Sequence, residues 1–288
     1  MINKNFILIL GESTGVECFK KLIKSKVKNI RYVICTNKIY NTIIRNICKK
    51  NKIIFYNSKN FKRNKIRIRN TKKDKFILIS IFSNLILKEN FLKQFKKRCY
   101  NIHPGILPFY PGKNCVSGSI YNLEKMNGVT LHLMTTKVDQ GPIIMKKMFK
   151  INKGKETLLS LMLKLKKSTI ILLNEFIFST LEKSKIITYK NNIKKKKYFP
   201  KFIPNGGQIN LDWSFKYFDK IFRAANSGPY CNSWGSVFFK YKNIKKKIIF
   251  YESLNKNKNL IFTNNQIKIE NDHFILKLAD RIIRVRVI

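Results

Sequence analysis

The 288-residue chain predicts an α/β fold, a mostly parallel sheet covered by helices, followed by a smaller all-β domain. Three observations carry that expectation. In the first half, short continuous apolar runs alternate with helical patterns, as parallel strands buried on both faces require. In the last third the runs turn short and alternating, with polar turns between them, the pattern of a small antiparallel barrel or sandwich. The length suits about two domains, and 44% apolar residues with 12% aromatics allow a proper core without disulfides or metals.

Phe6–Leu10 (FILIL) reads as the first buried strand, Gly11–Gly15 (GESTG) as a tight turn, and the residues to Ser25 as a helix. Ile30–Thr36 is a second strand, Tyr40–Lys50 a helix and Ile53–Tyr56 a short third strand. Asn57–Lys75 is nearly all Lys, Arg and Asn and is expected to be a solvated, irregular face. Phe76–Phe82 (FILISIF) resumes the sheet and Leu87–Lys97 is helical. A strand ending at Tyr100–His103 runs into the Pro/Gly-punctuated loop Pro104–Gly112, then a helix over Lys113–Glu124. Gly128–Thr136 and Ile143–Ile151 are strands joined by a turn carrying Asp139, Gly141 and Pro142, and a long helix over Glu156–Glu182 closes the domain.

A basic link, Lys194–Lys197, leads into YFPKFIPNGG, which sets the expected boundary between a domain of residues 1–200 and one of residues 201–288. Beyond it come a helix over Ser214–Asn226 and short strands at Trp234–Lys240, Lys246–Tyr251, Gln266–Glu270, His273–Leu278 and Ile282–Val287. No internal repeat is visible.

Sixty Lys and Arg against 15 Asp and Glu give a net charge of +45, strongly attractive to polyanions. The same chain is rich in Asn, Ile, Phe and Tyr, residues with AT-rich codons, so codon bias accounts for much of that charge at tolerant surface positions. The six cysteines form no CxxC and sit beside no histidine, which excludes the usual zinc sites and points to reduced, buried thiols. The apolar run in MINKNFILILGES is too short for a signal peptide, and Ser168–Leu181 is too short to span a bilayer and is broken by Glu175. A cytoplasmic protein with no membrane partner is expected. GESTG is no dinucleotide loop, since Gly11 and Gly15 do not make G-x-G-x-x-G and no acidic residue follows about 20 positions on.

Chemistry concentrates around one strand end. Asn101 and His103 lie two residues apart, so both side chains project to the same side of the sheet. The C-terminal edge of an open α/β sheet is where ligands bind, and the Asp139 turn is near enough in such a topology to pair with His103. Asn, His and Asp converging on a cleft can orient a carbonyl, stabilise an oxyanion and move protons. Taken singly, the three also read as a loop cap, a half-buried histidine and an ordinary turn residue.

The surrounding words weigh on that choice. Asn101-Ile-His103-Pro-Gly-Ile-Leu107-Pro108, then Gly128-Val-Thr, then Asp139-Gln-Gly141-Pro142 resembles the folate-dependent formyltransferase family. Its branches act on methionyl-tRNA, glycinamide ribonucleotide and nucleotide-linked amino sugars. The QINLDW…FRAANSGPY stretch is similar to the second domain of the tRNA and amino-sugar branches. The resemblance implies a Rossmann-like formyltransferase fold with an OB-like C-terminal domain. It implies N10-formyltetrahydrofolate as formyl donor, with no metal. It also implies roles: Asn101 hydrogen-bonds the formyl oxygen, and His103 as imidazolium stabilises the developing negative charge. Asp139 holds that imidazole and helps remove the amine's proton. Phe82, Ser83, Asn84, Leu85 and Ile86, with Leu107, Pro108 and Asp139, fall where the family binds the pterin, largely through backbone groups.

For the acceptor, charge favours initiator methionyl-tRNA, the expected partner, with a nucleotide-linked amino sugar as the alternative. Three departures favour the sugar. Gly11-Glu-Ser-Thr-Gly15 replaces the Gly-Thr-Pro-x-Phe turn of the tRNA enzymes, and only Thr36–Tyr40 follows the second strand, where they carry a basic insertion. His132 in Gly128-Val-Thr-Leu-His132 looks more like the amino-sugar branch, and equally reads as a strand histidine facing solvent. A degenerate, basic RNA-binding member is the non-enzymatic alternative.

Overall fold

In the computed structural model the described residues are 5–25, 27, 29–63, 76–181, 186–197, 199–228, 232–254, 262, 266–270 and 273–288. The chain divides into two compact units. The first comprises residues 1–113, 126–149 and 163–197, the second residues 114–125, 150–162 and 198–288. Residues 114–125 and 150–162 therefore group with the C-terminal part, whereas the sequence reading places them before a boundary near residue 200.

The first unit is built on a seven-stranded sheet in the order β3-β2-β1-β4-β5-β6-β7. Strand β1 (Asn5–Leu10) leads through α1 (Glu12–Lys24) to β2 (Ile30–Cys35), and α2 (Asn41–Lys50) leads to β3 (Ile54–Asn57). The short α3 (Ser58–Arg63) begins the stretch expected to be irregular, whose remaining residues 64–75 lie outside the described residues. The chain then returns to the other side of β1 as β4 (Phe76–Ile81), creating the switch point where open α/β sheets bind ligands. Strands β1 to β5 pair in parallel, and all six residues of β4 are buried, so helices cover both faces.

Glu12 in the first turn of α1 and Lys21 and Lys24 in its last complement the helix dipole, while Val16, Phe19 and Leu22 form its buried stripe. Gly11 precedes this helix because nothing larger fits: a Cβ there would lie 2.0 Å from the Phe82 carbonyl oxygen. The helix expected over Leu87–Lys97 is shorter, α4 (Glu89–Leu92) and a single 3-10 turn, Lys93–Phe95. Lys96 and Lys97 stop it by entering the left-handed region, at φ 45° and 63°. Leu87, Leu92 and Phe95 nonetheless reach the core cluster with Ile7, Ile9, Ile34 and Leu78.

Beyond β5 (Cys99–His103) come α5 (Cys115–Tyr121), β6 (Met126–Leu133), β7 (Ile143–Lys150) and α6 (Leu158–Glu175). Strand β6 runs antiparallel to β5, so the sheet is mostly rather than wholly parallel. The helix expected to reach Glu182 ends instead in one π-turn, Phe176–Thr180, whose Phe176 packs against Tyr100.

In the second unit α7 (Phe215–Ala225) is capped by the Ser214 hydroxyl, which accepts the Tyr217 N–H at 3.3 Å. It presents Phe218, Ile221, Phe222 and Ala225 to the interior and packs on α5. A five-stranded sheet follows in the order β10-β11-β12-β9-β8, with strands β8 (Phe238–Tyr241), β9 (Ile244–Ser253), β10 (Ile267–Glu270), β11 (His273–Lys277) and β12 (Ile282–Val287). All its pairings are antiparallel, as the alternating runs required. A buried polar knot ties the helix to its surroundings: Arg223 grips Asp219 and donates to the Glu156 carbonyl, while the Tyr251 hydroxyl donates to Asp219 at 2.5 Å.

Cys18, Cys35, Cys48, Cys99 and Cys115 are buried and form no disulfide, and burial pushes the thiols of Cys18, Cys48 and Cys99 up to about 12, where they are protonated and inert. Cys231, the sixth cysteine, lies outside the described residues. No helix among the described residues is long and apolar enough to cross a membrane.

Candidate active site

The site forms where β5 ends. Ile102 is buried in the sheet, so its neighbours Asn101 and His103 project together to the opposite face. The antiparallel register of β6 sets His132 directly opposite Asn101, and Thr130 opposite His103. Four polar side chains thus share one face because two strands each contribute an i, i+2 pair.

Asp139 arrives from the link between β6 and β7 with φ 54°, in the left-handed region. The link is pinned twice. Asn191 Nδ2 donates to the carbonyl oxygens of Asp139 (2.9 Å) and Gly141 (3.1 Å). Gly141 itself lies so close to β6 that a Cβ would fall 1.8 Å from the Leu133 oxygen.

The carboxylate collects donors with both oxygens. Oδ2 lies 3.2 Å from His103 Nδ1 and accepts the Gly112 N–H at 2.8 Å. Oδ1 lies 3.3 Å from His132 Nε2 and accepts from Asn101 Nδ2 at 3.3 Å. Burial alone pushes the Asp139 carboxyl up; the hydrogen bonds from His103 and His132, the charge on His103 and the Gly112 N–H together outweigh it and hold the group well below the usual carboxylate range. Asp139 is therefore a fixed anion. His103, only 3% exposed, has its other nitrogen 3.0 Å from the Tyr110 carbonyl oxygen. With acceptors at both nitrogens, the imidazolium is the protonation state that satisfies both contacts.

The loop Pro104–Gly112 is anchored from beneath. Thr130 Oγ1 donates to the Gly105 oxygen at 2.6 Å and accepts the Leu107 N–H at 3.1 Å, while Lys146 Nζ donates to the Leu107 oxygen at 2.6 Å. Burial lowers the Lys146 pKa. The Leu107–Pro108 peptide is cis.

The structure brings Asn101, His103 and Asp139 together as the sequence anticipates. The other expected residues lie at the neighbouring strand ends. Phe82 follows β4 at φ 49°, its N–H bonded to the Ile102 oxygen at 3.3 Å. Ser83 Oγ accepts the Leu85 N–H at 3.0 Å, Leu85 packs against the core cluster, and Asn84 and Ile86 face outward, Ile86 at 73% exposure. Leu107 is fully buried and Pro108 half-buried, so Leu107 presents backbone rather than side chain. Sequence reasoning missed Thr130, Lys146 and Asn191, whose roles depend on strand register and loop path. His132 is 2% exposed and does not face solvent. Among the described residues, no cluster of His, Cys, Asp and Glu is placed to hold a metal ion.

With this geometry in place, comparison with known proteins fixes the family. The formyl transferase family model matches residues 6–177, and the chain belongs to that family. It is 30% identical over 241 residues to the bifunctional polymyxin resistance protein ArnA of Wigglesworthia glossinidia brevipalpis, an alignment covering 83% of this chain and 36% of that protein. It is 40% identical over 75 residues to the methionyl-tRNA formyltransferase of Borreliella afzelii, covering 26% of this chain and 24% of that one. The chain thus spans well under half of these relatives. Against the GDP-perosamine N-formyltransferase of Brucella melitensis it is 27% identical over 157 residues, 54% of this chain and 59% of that one. Among solved structures, a sugar 3N-formyl transferase, WlaRD, crystallised with dTDP and 5-N-formyl-THF, superposes with a TM-score of 0.68 at 18% identity, covering 100% of this chain and 99% of that one.

Proposed function

We propose that the protein transfers a formyl group from N10-formyltetrahydrofolate to the amino group of a nucleotide-linked amino sugar. Supporting this acceptor, the folds of two sugar N-formyltransferases match along 99–100% of the chain, whereas extent of sequence likeness does not choose, since a methionyl-tRNA formyltransferase aligns over 63% of the chain and the GDP-perosamine enzyme over 54%. The short link between β2 and α2 agrees, since Thr36–Tyr40 holds only a 3-10 turn capped by Asn37 and has no room for the tRNA branch's basic insertion. Methionyl-tRNA, expected from charge, becomes the second reading, favoured by the +45 net charge.

The folate supplies the formyl group; the chain supplies the electrostatics. Asn101 and His103 offer donors where negative charge grows on the formyl oxygen as the amine attacks, and donors fixed in advance are worth most in such a buried site. Asp139 keeps His103 charged and oriented. A carboxylate this strongly stabilised is a poor proton acceptor, so its part is to hold His103 rather than to act as general base. The new C–N bond forms, the C–N10 bond breaks, and the amine's proton ends on N10. Phe82–Ile86 and Leu107–Pro108 provide the walls for the folate.

The test is formyl transfer from N10-formyltetrahydrofolate to a panel of nucleotide-linked amino sugars, run beside charged initiator methionyl-tRNA. Turnover on a sugar with an acceptor KM that changes little between about 50 and 200 mM salt is expected; turnover on tRNA alone, with KM rising steeply over that range, would overturn the reading.

A further inference from the structure

We infer that the second unit carries a ligand site of its own, a cavity beside the C-terminal end of α7 that takes a small organic carboxylate with an apolar body.

The cavity has a volume of about 260 Å³ and is lined by residues between Phe222 and Ile249, all within the second unit. Its apolar wall is made by Phe222 and Ala225 of α7, Val237 just before β8 and Ile248 of β9, all buried. Ile249 also lines it and is exposed. An apolar wall with a few placed polar groups is the make-up of small-molecule sites.

The uncommitted polar groups are all donors. Lys247 Nζ, Asn226 Nδ2 and Ser236 Oγ belong to lining residues and have no partner among the described residues. The orientation of Asn226 is fixed, because its Oδ1 accepts the Gly228 N–H at 3.0 Å, which leaves Nδ2 as the open end. The backbone of Lys247 is held by two 3.0 Å bonds with Ile288, so only its ammonium is available. The negative pole of α7 would oppose an anion, but the carbonyls at that end are occupied. Ala225 O accepts from Asn232 Nδ2 at 3.0 Å, and Asn226 O accepts the Leu159 N–H at 3.0 Å. Among the described lining residues none is acidic.

One cation and two neutral donors beside an apolar wall define the ligand. A carboxylate has one charge for Lys247 and enough lone pairs for all three donors, while its body displaces water from the wall. A phosphate dianion would bring a second charge that one lysine does not meet, and a neutral ligand would leave the ammonium unused. The shape is set in advance. Asn232 ties the wall together, donating to the Ala225 and Gly235 oxygens at 3.0 Å each and accepting the Trp234 N–H at 3.0 Å. Such a preformed site loses little conformational freedom on binding. None of these residues enters the transfer proposed above, so the inference does not depend on which acceptor is used.

The probe is benzoate, added to the full chain and followed by NMR of the isoleucine methyls, with acetate, benzamide and inorganic phosphate beside it. Benzoate should shift Ile248 and Ile249 saturably and bind more tightly than acetate, which lacks the body, or benzamide, which lacks the charge; phosphate should not compete. Lys247→Met and Asn226→Asp should each weaken benzoate about tenfold with thermal melting unchanged. Asn226→Asp keeps an acceptor for the Gly228 N–H and puts a negative oxygen where the donor stood. Lys246→Met removes the same charge from a neighbour on β9 that does not line the cavity, and should bind benzoate as the wild type does. Three results would overturn the proposal: no saturable shift with benzoate, benzamide binding as tightly as benzoate, or equal losses in Lys246→Met and Lys247→Met. The last would mean that general attraction to a chain of charge +45 accounts for the binding.

Discussion

Replacing Asp139 with asparagine probes the centre of the site, because one atom changes and four contacts respond. The carboxylate accepts from Gly112 N at 2.8 Å and Asn101 Nδ2 at 3.3 Å, and meets His103 Nδ1 at 3.2 Å and His132 Nε2 at 3.3 Å. Asp139→Asn keeps the shape but turns one oxygen into a donor, which must face either the Gly112 N–H and His103 or the Asn101 amide. Two effects follow. A buried imidazolium deprived of its counter-ion loses roughly 3–5 kcal/mol, so His103 gives up its proton and with it the positive charge that meets the formyl oxygen. Removing one preorganised donor of this kind costs about 3–4 kcal/mol of barrier, or about 10²–10³ in kcat. The assay is initial-rate formyl transfer at saturating folate and acceptor. A kcat within tenfold of wild type, or a loss carried wholly by KM, would refute the reasoning.

The same substitution has a pH signature. The folded-state pKa of Asp139 lies below its unfolded value, so the stability it contributes is complete above the ordinary carboxylate range, near 4, and drains away as pH falls through the folded value. Wild type should therefore exceed Asp139→Asn in Tm at pH 7, and the gap should narrow between about pH 5 and 3. A gap that stays constant would mean that the carboxylate is not the stabilised species.

Three further predictions concern the supports. Gly141→Ala drives a Cβ to 1.8 Å from the Leu133 oxygen and should displace the Asp139 turn, lowering stability by about 1–3 kcal/mol and kcat with it; retained urea midpoint and kcat together would contradict this. Thr130→Val strands the Gly105 carbonyl and the Leu107 N–H, costing roughly 2–5 kcal/mol by urea denaturation, and a change under 1 kcal/mol would show that the loop does not depend on them. Tyr251→Phe removes a hydroxyl bonded to the Asp219 carboxylate at 2.5 Å and should destabilise the protein by about 1.5–3 kcal/mol without altering folate KM; an altered KM would tie the second unit to the folate site.

How much of this was legible in the sequence depended on which physical pattern carried it. Strands buried on both faces announce themselves as apolar runs, so β1, β2, β4 and the shared side of Asn101 and His103 follow from composition and a period of two. The early end of the Leu87–Lys97 helix did not, because Lys96 and Lys97 adopt positive φ without a glycine to signal it. Asp139 was placed by family spacing rather than by any local rule. His132 shows the limit most plainly. A histidine in an alternating strand faces either side equally well on paper, and only the register Asn101↔His132 turns it inward. Charge is a poor guide to the acceptor for a related reason: net charge is a sum over the whole surface, and it carries no information about where a binding groove has or lacks room.

The division of the chain into interleaved units bears on how it is made. The units exchange the chain after residues 113, 125, 149, 162 and 197, so no single cut separates them. During vectorial synthesis α5 leaves the ribosome with Val116 and Ile120 uncovered, and its packing partner α7 does not begin until Phe215. The nascent chain must carry an unpaired apolar helix through the translation of residues 122–214, the remaining third of the first unit included. A truncation near residue 200 would preserve that vulnerable intermediate, and a folding factor that shields apolar surface at the exit tunnel would have its clearest target there.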